Sequence, residues 1–212
     1  VCLTSPLLGD IITTTTERIY IMNKIFENSK EAAINKSSNI WENSDFNFLT
    51  PLSTDEKGFW GEDTFQRLVR KHTTYDVIWD GDNNTNLTDG IYDMIVNSKR
   101  TEQKTAMKGT KSDTWQHDHI KEDSDFDKLV FFDICPDNTV FITIIHDWKI
   151  KIYEKKHPIF KKKASPCKGG WKFDMSKATI KIGINAGWTY HFDANEGAEN
   201  VNFDKFLLTN FS

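Results

Sequence analysis

The chain has 212 residues and is 38% hydrophobic, with fifteen Phe and seven Trp, which suits one domain with a sizeable core and excludes a chain disordered throughout. Net charge is −4, yet residues 149–181 hold eleven lysines against Glu154 and Asp174, a local +9 that leaves −13 for the rest. No apolar run approaches the ~20 residues of a membrane helix, and Cys2, Cys135 and Cys167 have neither the number for a disulfide framework nor metal-ligand spacing. A cytoplasmic, reducing location without a membrane partner is therefore expected, and the first dozen residues lack the positive flank of a signal peptide.

Residues 1–16 read as an arm or short strand, and one of Thr13–Thr16 can cap a helix over 17–35. Residues 36–52, rich in Asn and Ser with scattered aromatics, read as an ordered loop. Packing or dimer contacts are the expected role of both parts. Ser53 and Glu56 then form a helix-start pattern, and residues 59–71 carry Trp60, Phe65, Leu68 and Val69 on one side, with Glu62 at the edge of that face. A short strand follows over 75–79. The turn-rich loop beginning Asp80-Gly81-Asp82 starts like a calcium loop but lacks that motif's later glycine and glutamate.

Residues 89–106 hold the chemistry. Residues 92–96 are rich in β-formers, Asn97-Ser98 reads as a two-residue turn, and residues 100–106 alternate again. With Val96 opposite Lys99, the register sets Asp93 across from Glu102 and Ile91 across from Lys104. Alternation then points Glu102 and Lys104 the same way, and opposed residues share a face with Cβ atoms about 4.5–5.5 Å apart. Two carboxylates that close call for a cation between them, and oxygen ligands suit Mg²⁺ or Mn²⁺. A lysine beside the metal could help deprotonate water or stabilise charge building on a phosphate, which is the chemistry of metal-dependent phosphodiester hydrolysis. An exposed hairpin salt bridge worth ~0–1 kcal/mol accounts for the same three residue types without any chemistry.

Beyond the hairpin lies a polar segment containing Lys108 and Lys111, then a predicted helix over 114–122. On a helix, His117 and His119 diverge and make a poor metal pair, while Gln116 or one of the histidines could reach a phosphate or the attacking water. Residues 128–134 are a strongly apolar central strand, turned at 136–138 into a second strand over 139–145. Residues 148–153 alternate apolar and lysine like an edge ribbon. The basic loop over 155–163 interleaves Lys155, Lys156, Lys161, Lys162 and Lys163 with Phe160. Residues 171–184 and 188–192 read as further β segments, and the apolar stretch 203–211 as docked on the body. A lysine-rich strip on an acidic protein is a footprint for phosphates, although a solvated lysine surface has the same composition.

This order of elements, with an acidic residue on the second strand and Glu-x-Lys on the third, resembles the PD-(D/E)xK nuclease superfamily, and within it a type II restriction endonuclease. The resemblance spans roughly residues 58–145. It implies a mixed α/β fold: an αβββαβ core with a central mixed sheet flanked by helices, an N-terminal helical arm and a C-terminal β-rich extension. It divides the chain into an arm (1–52), a catalytic core (53–146) and a basic extension of the same domain (147–212). It also implies that Asp93 and Glu102 ligate Mg²⁺, for which Mn²⁺ can substitute, with Glu62 as accessory ligand, Lys104 as the motif lysine and Gln116 in support. Tyr92 stands where the family often has proline, and Asp89 is a rival for Asp93. The implied partner is double-stranded DNA, cut by a homodimer, with Lys108, Lys111 and the lysines of 155–163 on the backbone. A repair or junction-resolving nuclease of the same fold, or a nuclease-like fold that only binds nucleic acid, stand as alternatives.

Overall fold

Ser53 opens a helix in the way its sequence predicts. In the computed structural model, which describes residues 40–82, 91–110, 112–121, 124–148, 165–167, 170–196 and 201–212, the Ser53 side chain accepts the Glu56 N–H at 3.2 Å. Glu56 Oε2 in turn accepts the Ser53 N–H at 2.8 Å. The helix so capped, α1 (Thr54–His72), begins with Asp55 and Glu56 and ends with Arg70, Lys71 and His72, each charge complementing the macrodipole. It buries Phe65 and Val69. Just before it, within the predicted loop, Ser44 caps a short 3-10 helix (Asp45–Leu49) that adds Phe46 and Leu49 to the same core.

The strands are β1 (Val77–Trp79), β2 (Met94–Val96), β3 (Lys99–Met107), β4 (Thr114–Ile120), β5 (Lys128–Ile134), β6 (Thr139–His146), β7 (Ser165–Cys167), β8 (Gly170–Ser176) and β9 (Thr189–Asp193). Six form one mixed sheet in the order β1-β2-β3-β5-β6-β9, in which only β3 and β5 run parallel. A second sheet has the order β4-β8-β7. Helix α2 (Lys177–Ala186) follows β8, and α3 (Val201–Phe211) closes the chain.

Asn97 and Ser98, at φ 46° and 63°, make the primed turn whose twist matches a two-residue hairpin. The register is the predicted one, Val96 with Lys99, Ile95 with Arg100 and Met94 with Thr101. Arg100 fixes the start of the parallel pair. Its guanidinium grips Asp127 through Nη2–Oδ1 at 3.0 Å and Nε–Oδ2 at 3.2 Å, and its carbonyl accepts the Asp127 N–H at 2.8 Å. Every residue of β5 is buried, because its two faces serve two cores. Val130, Phe132 and Ile134 pack with α1 and α3, whereas Leu129 and Phe131 pack with Trp115, Phe173 and Ile180 of β4, β8 and α2. The protein is thus a mixed α/β fold with a central mixed sheet flanked by helices, and residues 41–212 form one compact unit.

Three elements differ from expectation. The helix predicted over 114–122 is strand β4: Trp115 and His117 are buried with Gln116 exposed between them, a period of two. A bulge between His117 and Ile120 breaks that alternation and obscured it. The crossover between parallel β3 and β5 is therefore a strand of the second sheet, so the expected αβββαβ order has β4 in place of its second helix. The β segment predicted over 171–184 stops at Ser176, whose hydroxyl accepts the Thr179 N–H at 3.3 Å and caps α2; Gly187 at φ 82° ends that helix. The docked stretch over 203–211 is helical, so among the described residues the C-terminal extension combines strands with α2 and α3. The helix over 17–35, the basic loop over 155–163 and all but the first residue of the ribbon over 148–153 lie outside the described residues.

Candidate active site

Strand β2 pairs with β3 only as far as Thr101, and among the described residues the rest of that edge of β3 has no strand partner. Asp93 and Glu102 are consequently not a ladder pair, and Ile91 lies in a bend outside β2. Asp93 instead caps the open edge. Its N–H donates to the Thr101 carbonyl at 3.1 Å, and its Oδ2 accepts the Gln103 N–H at 2.7 Å. Glu102 and Lys104 flank Gln103 and meet in an ion pair, Nζ to Oε1, as their alternation predicts.

Glu62 comes from α1. The helix lies against β3 because residue 61 is glycine; a Cβ there would overlap the Thr105 side chain. That close approach brings the next residue to the edge of β3, where Glu62 Oε2 accepts from Trp79 Nε1 at 3.3 Å. Helix α1, the β1 end, the β2 entry and β3 thus each contribute to one group.

The four side chains feel one another. Burial first, then the Asp93 charge, push the Glu62 carboxyl up to about 7, against the Trp79 hydrogen bond and Lys104. The same two causes push Glu102 up to about 7, opposed by Lys104. Burial also raises Asp93, although Lys104 and the Gln103 N–H pull the other way. Burial works to lower Lys104, but Glu102, Asp93 and Glu62 outweigh it and hold the ammonium charged. Asp80 adds to the repulsion on both Glu62 and Asp93. Sequence reasoning passed over Asp80 when the calcium pattern failed; the signal available was an acidic residue directly after a strand that leads to the hairpin.

Glu62, Asp93 and Glu102 are the residues that could hold a divalent cation. They are hard oxygen donors, and a cation would offset the burial that chiefly raises their carboxyls and the neighbouring carboxylate charge that adds to it. The group is not a finished coordination shell. Among the described residues no three His, Cys, Asp or Glu side chains are gathered closely enough to hold a metal, and Lys104 already occupies Glu102.

A cleft of about 550 Å³ runs beside the group, walled by Gly58 and Glu62 of α1, Gln103 and Lys104 of β3, and Gln116 and His119 of β4. Gln116, predicted on a helix, reaches the cleft from a strand, and its Oε1 accepts from Lys172 Nζ at 3.1 Å. A hollow of about 580 Å³ between α2, β9 and α3 has no acidic residue in its lining. Lys108 is ion-paired with Asp113. Asp89, Lys111, Lys155, Lys156, Lys161, Lys162 and Lys163 lie outside the described residues. Cys135 is buried, its thiol pushed up to about 12 chiefly by that burial, and so is inert. No described helix is long and apolar enough to cross a membrane.

No protein-family profile matches the chain, and no curated protein matches it. Among solved structures it is similar to the bacterial homing endonuclease I-Ssp6803I, at 12% identity and a TM-score of 0.37, over 59% of this chain and 80% of that one.

Proposed function

We propose that this protein is a metal-dependent endonuclease that hydrolyses DNA phosphodiester bonds, of the sequence-specific type II restriction kind and acting as a homodimer. The observation that carries the reading is the group of Glu62, Asp93, Glu102 and Lys104 beside a cleft, assembled from α1, the entry to β2, and β3 around a hairpin of the predicted register. The superfamily resemblance of those residues supports the same assignment.

In this reading Asp93, Glu102 and Glu62 hold Mg²⁺, with Mn²⁺ as substitute. A bound divalent ion supplies charge neutralisation at the phosphate and a more acidic water. The chain does the positioning. Asp93 is held by the Gln103 N–H and Glu62 by the Trp79 indole, so neither carboxylate is free to swing. Lys104, kept protonated by its acidic neighbours, is placed to leave Glu102 for a phosphate oxygen on which negative charge builds. Gln116 supports the substrate from the opposite wall. Lys108, Lys111 and the lysines of 155–163 contact the DNA backbone; Lys108 exchanges Asp113 for a phosphate.

One observation favours a second reading, a nuclease-like fold that binds DNA without cutting it: Lys104 pairs Glu102, and among the described residues no metal-binding cluster is preformed. Incubating the protein with long duplex DNA, in Mg²⁺, in EDTA, and with Glu102→Ala in parallel, separates these. Discrete fragments that need both Mg²⁺ and Glu102 are expected. A metal-dependent smear points to a repair-type nuclease, and DNA retained but uncut points to the binding-only reading.

A further inference from the structure

His119 carries a backbone conformation that a strand gives no reason for. It sits at φ 61° inside β4, whereas the other described non-glycine residues with positive φ are at the Asn97-Ser98 hairpin turn, the Asn138 turn and the Asp147 bend. Left-handed backbone costs an L-residue with a Cβ, and where it persists in a strand something must hold it. Here a bulge holds it: β4 keeps register with β8 through His117 and Phe173, slips, and resumes at Ile120 and Trp171.

The bulge changes what faces where. Trp115 and His117 are buried and Gln116 is exposed, so strict alternation would bury residue 119 and expose residue 120. The extra residue reverses this, burying Ile120 and leaving His119 exposed on the wall of the cleft that Glu62 and Lys104 line. Burying Ile120 would be satisfied by many residue types at 119, and glycine or asparagine would meet the φ with less strain. No hydrogen bond or ion pair engages the His119 ring among the described residues. Among the described residues no polar contact of the imidazole accounts for its place. Two deeply buried side chains lining the same cleft also have polar atoms without a hydrogen-bond partner among the described residues, Gln103 Oε1 and His117 Nδ1. Such atoms are costly to bury unless water or a ligand meets them.

From this geometry we propose that His119 is a substrate-contacting residue, presented by the β4 bulge so that its ring N–H donates to a backbone phosphate oxygen of nucleic acid lying in the cleft. The inference rests on the nuclease reading above and adds His119 to the β4 side of the substrate cleft, beside Gln116 and Asp118. Bulges re-aim side chains beside active sites in this way.

The test uses the full chain and linear plasmid DNA in Mg²⁺, comparing wild type, Glu102→Ala, His119→Ala, His119→Gly and His119→Asn. Rate constants come from single-turnover cleavage, DNA dissociation constants from parallel binding in Ca²⁺, and melting temperatures from the free proteins. The expected result is at least tenfold slower cleavage and weaker binding for His119→Ala and His119→Gly, with His119→Gly melting no lower than wild type. His119→Asn, which keeps an N–H donor and tolerates the left-handed backbone, should recover part of the loss. Wild-type cleavage and binding in the alanine and glycine variants, with Glu102→Ala inactive, would overturn the role of His119 and leave the nuclease reading standing. Loss of activity in step with a lowered melting temperature in His119→Gly would overturn it too, by showing that the imidazole supports the fold. If Glu102→Ala cleaves as wild type does, or wild type never cleaves, the nuclease reading fails and this inference with it.

Discussion

Lys104 stays charged although burial works against it, because Glu102, Asp93 and Glu62 surround it. Lys104→Gln removes the charge while keeping an N–H donor on a side chain one atom shorter, and is expected to slow single-turnover DNA cleavage about 10²–10³-fold. Glu62 and Glu102 predict a pH dependence whose sign is unusual for carboxylates. Their folded pKa values of about 7 lie above the ordinary 4.5, so the folded protein keeps protons that the unfolded chain releases between those limits. Their contribution to stability is full below pH 4.5 and is lost as pH rises through 7. The paired Asp113 and Asp127 carboxyls, held low by Lys108 and Arg100, act in the opposite sense only below the ordinary carboxylate range and leave this window alone. Urea unfolding in EDTA should therefore show stability falling by on the order of 3 kcal/mol for each of the two groups between about pH 4.5 and 7.5. Glu102→Gln should flatten the fall, and a rise with pH across that window would contradict the role given to these two groups.

At the level of elements, two close approaches hold the site's walls. Gly61 lets α1 approach β3 closely enough to bring Glu62 to the group. Gly61→Ala must push helix and strand apart, so it is expected to cost about 1–3 kcal/mol in denaturant unfolding and to slow cleavage more than its effect on folding explains. Between the two sheets, His117 of β4 stacks on Phe131 of β5 at 4.0 Å, and its Nε2 lies 2.8 Å from Asp133 Oδ1, both side chains fully buried. Burial pushes the Asp133 carboxyl up while His117 pulls it down. Asp133→Ala strands the histidine and should destabilise the fold by about 3–5 kcal/mol, read from the urea midpoint. The same elements show what a single sequence reveals. The hairpin, its register and α1 were legible because a turn dipeptide, strict alternation and a capping box are local signals. Strand β4 was not, since its bulge puts both Asp118 and His119 between inward residues and mimics a helical face. Helix α2 was hidden because Ser176 caps it directly from a strand with no intervening loop. Asp80 and Gly61 were missed for a different reason: each matters only through a partner distant in sequence.

Across the whole molecule, a net charge of −4 coexists with a lysine strip of local +9, and in the proposed function this asymmetry divides the work between an acidic site and a basic phosphate-binding segment. Replacing Lys155, Lys156, Lys161, Lys162 and Lys163 together by Gln should weaken DNA binding uniformly across sequences. It should also flatten the slope of log K against log salt by roughly 0.9 for each phosphate that is no longer neutralised. An unchanged slope would place the backbone-binding lysines elsewhere. The acidic site makes the sharper claim: in the proposed function, Glu62, Asp93 and Glu102 hold a divalent cation. The most direct measurement is Mn²⁺ binding to the DNA-free protein at neutral pH, followed by electron paramagnetic resonance, for wild type and for Asp93→Asn with Glu102→Gln. Saturable binding to wild type that disappears in the double variant is the predicted result. Equal binding by both proteins, or none by wild type with and without DNA, would contradict it.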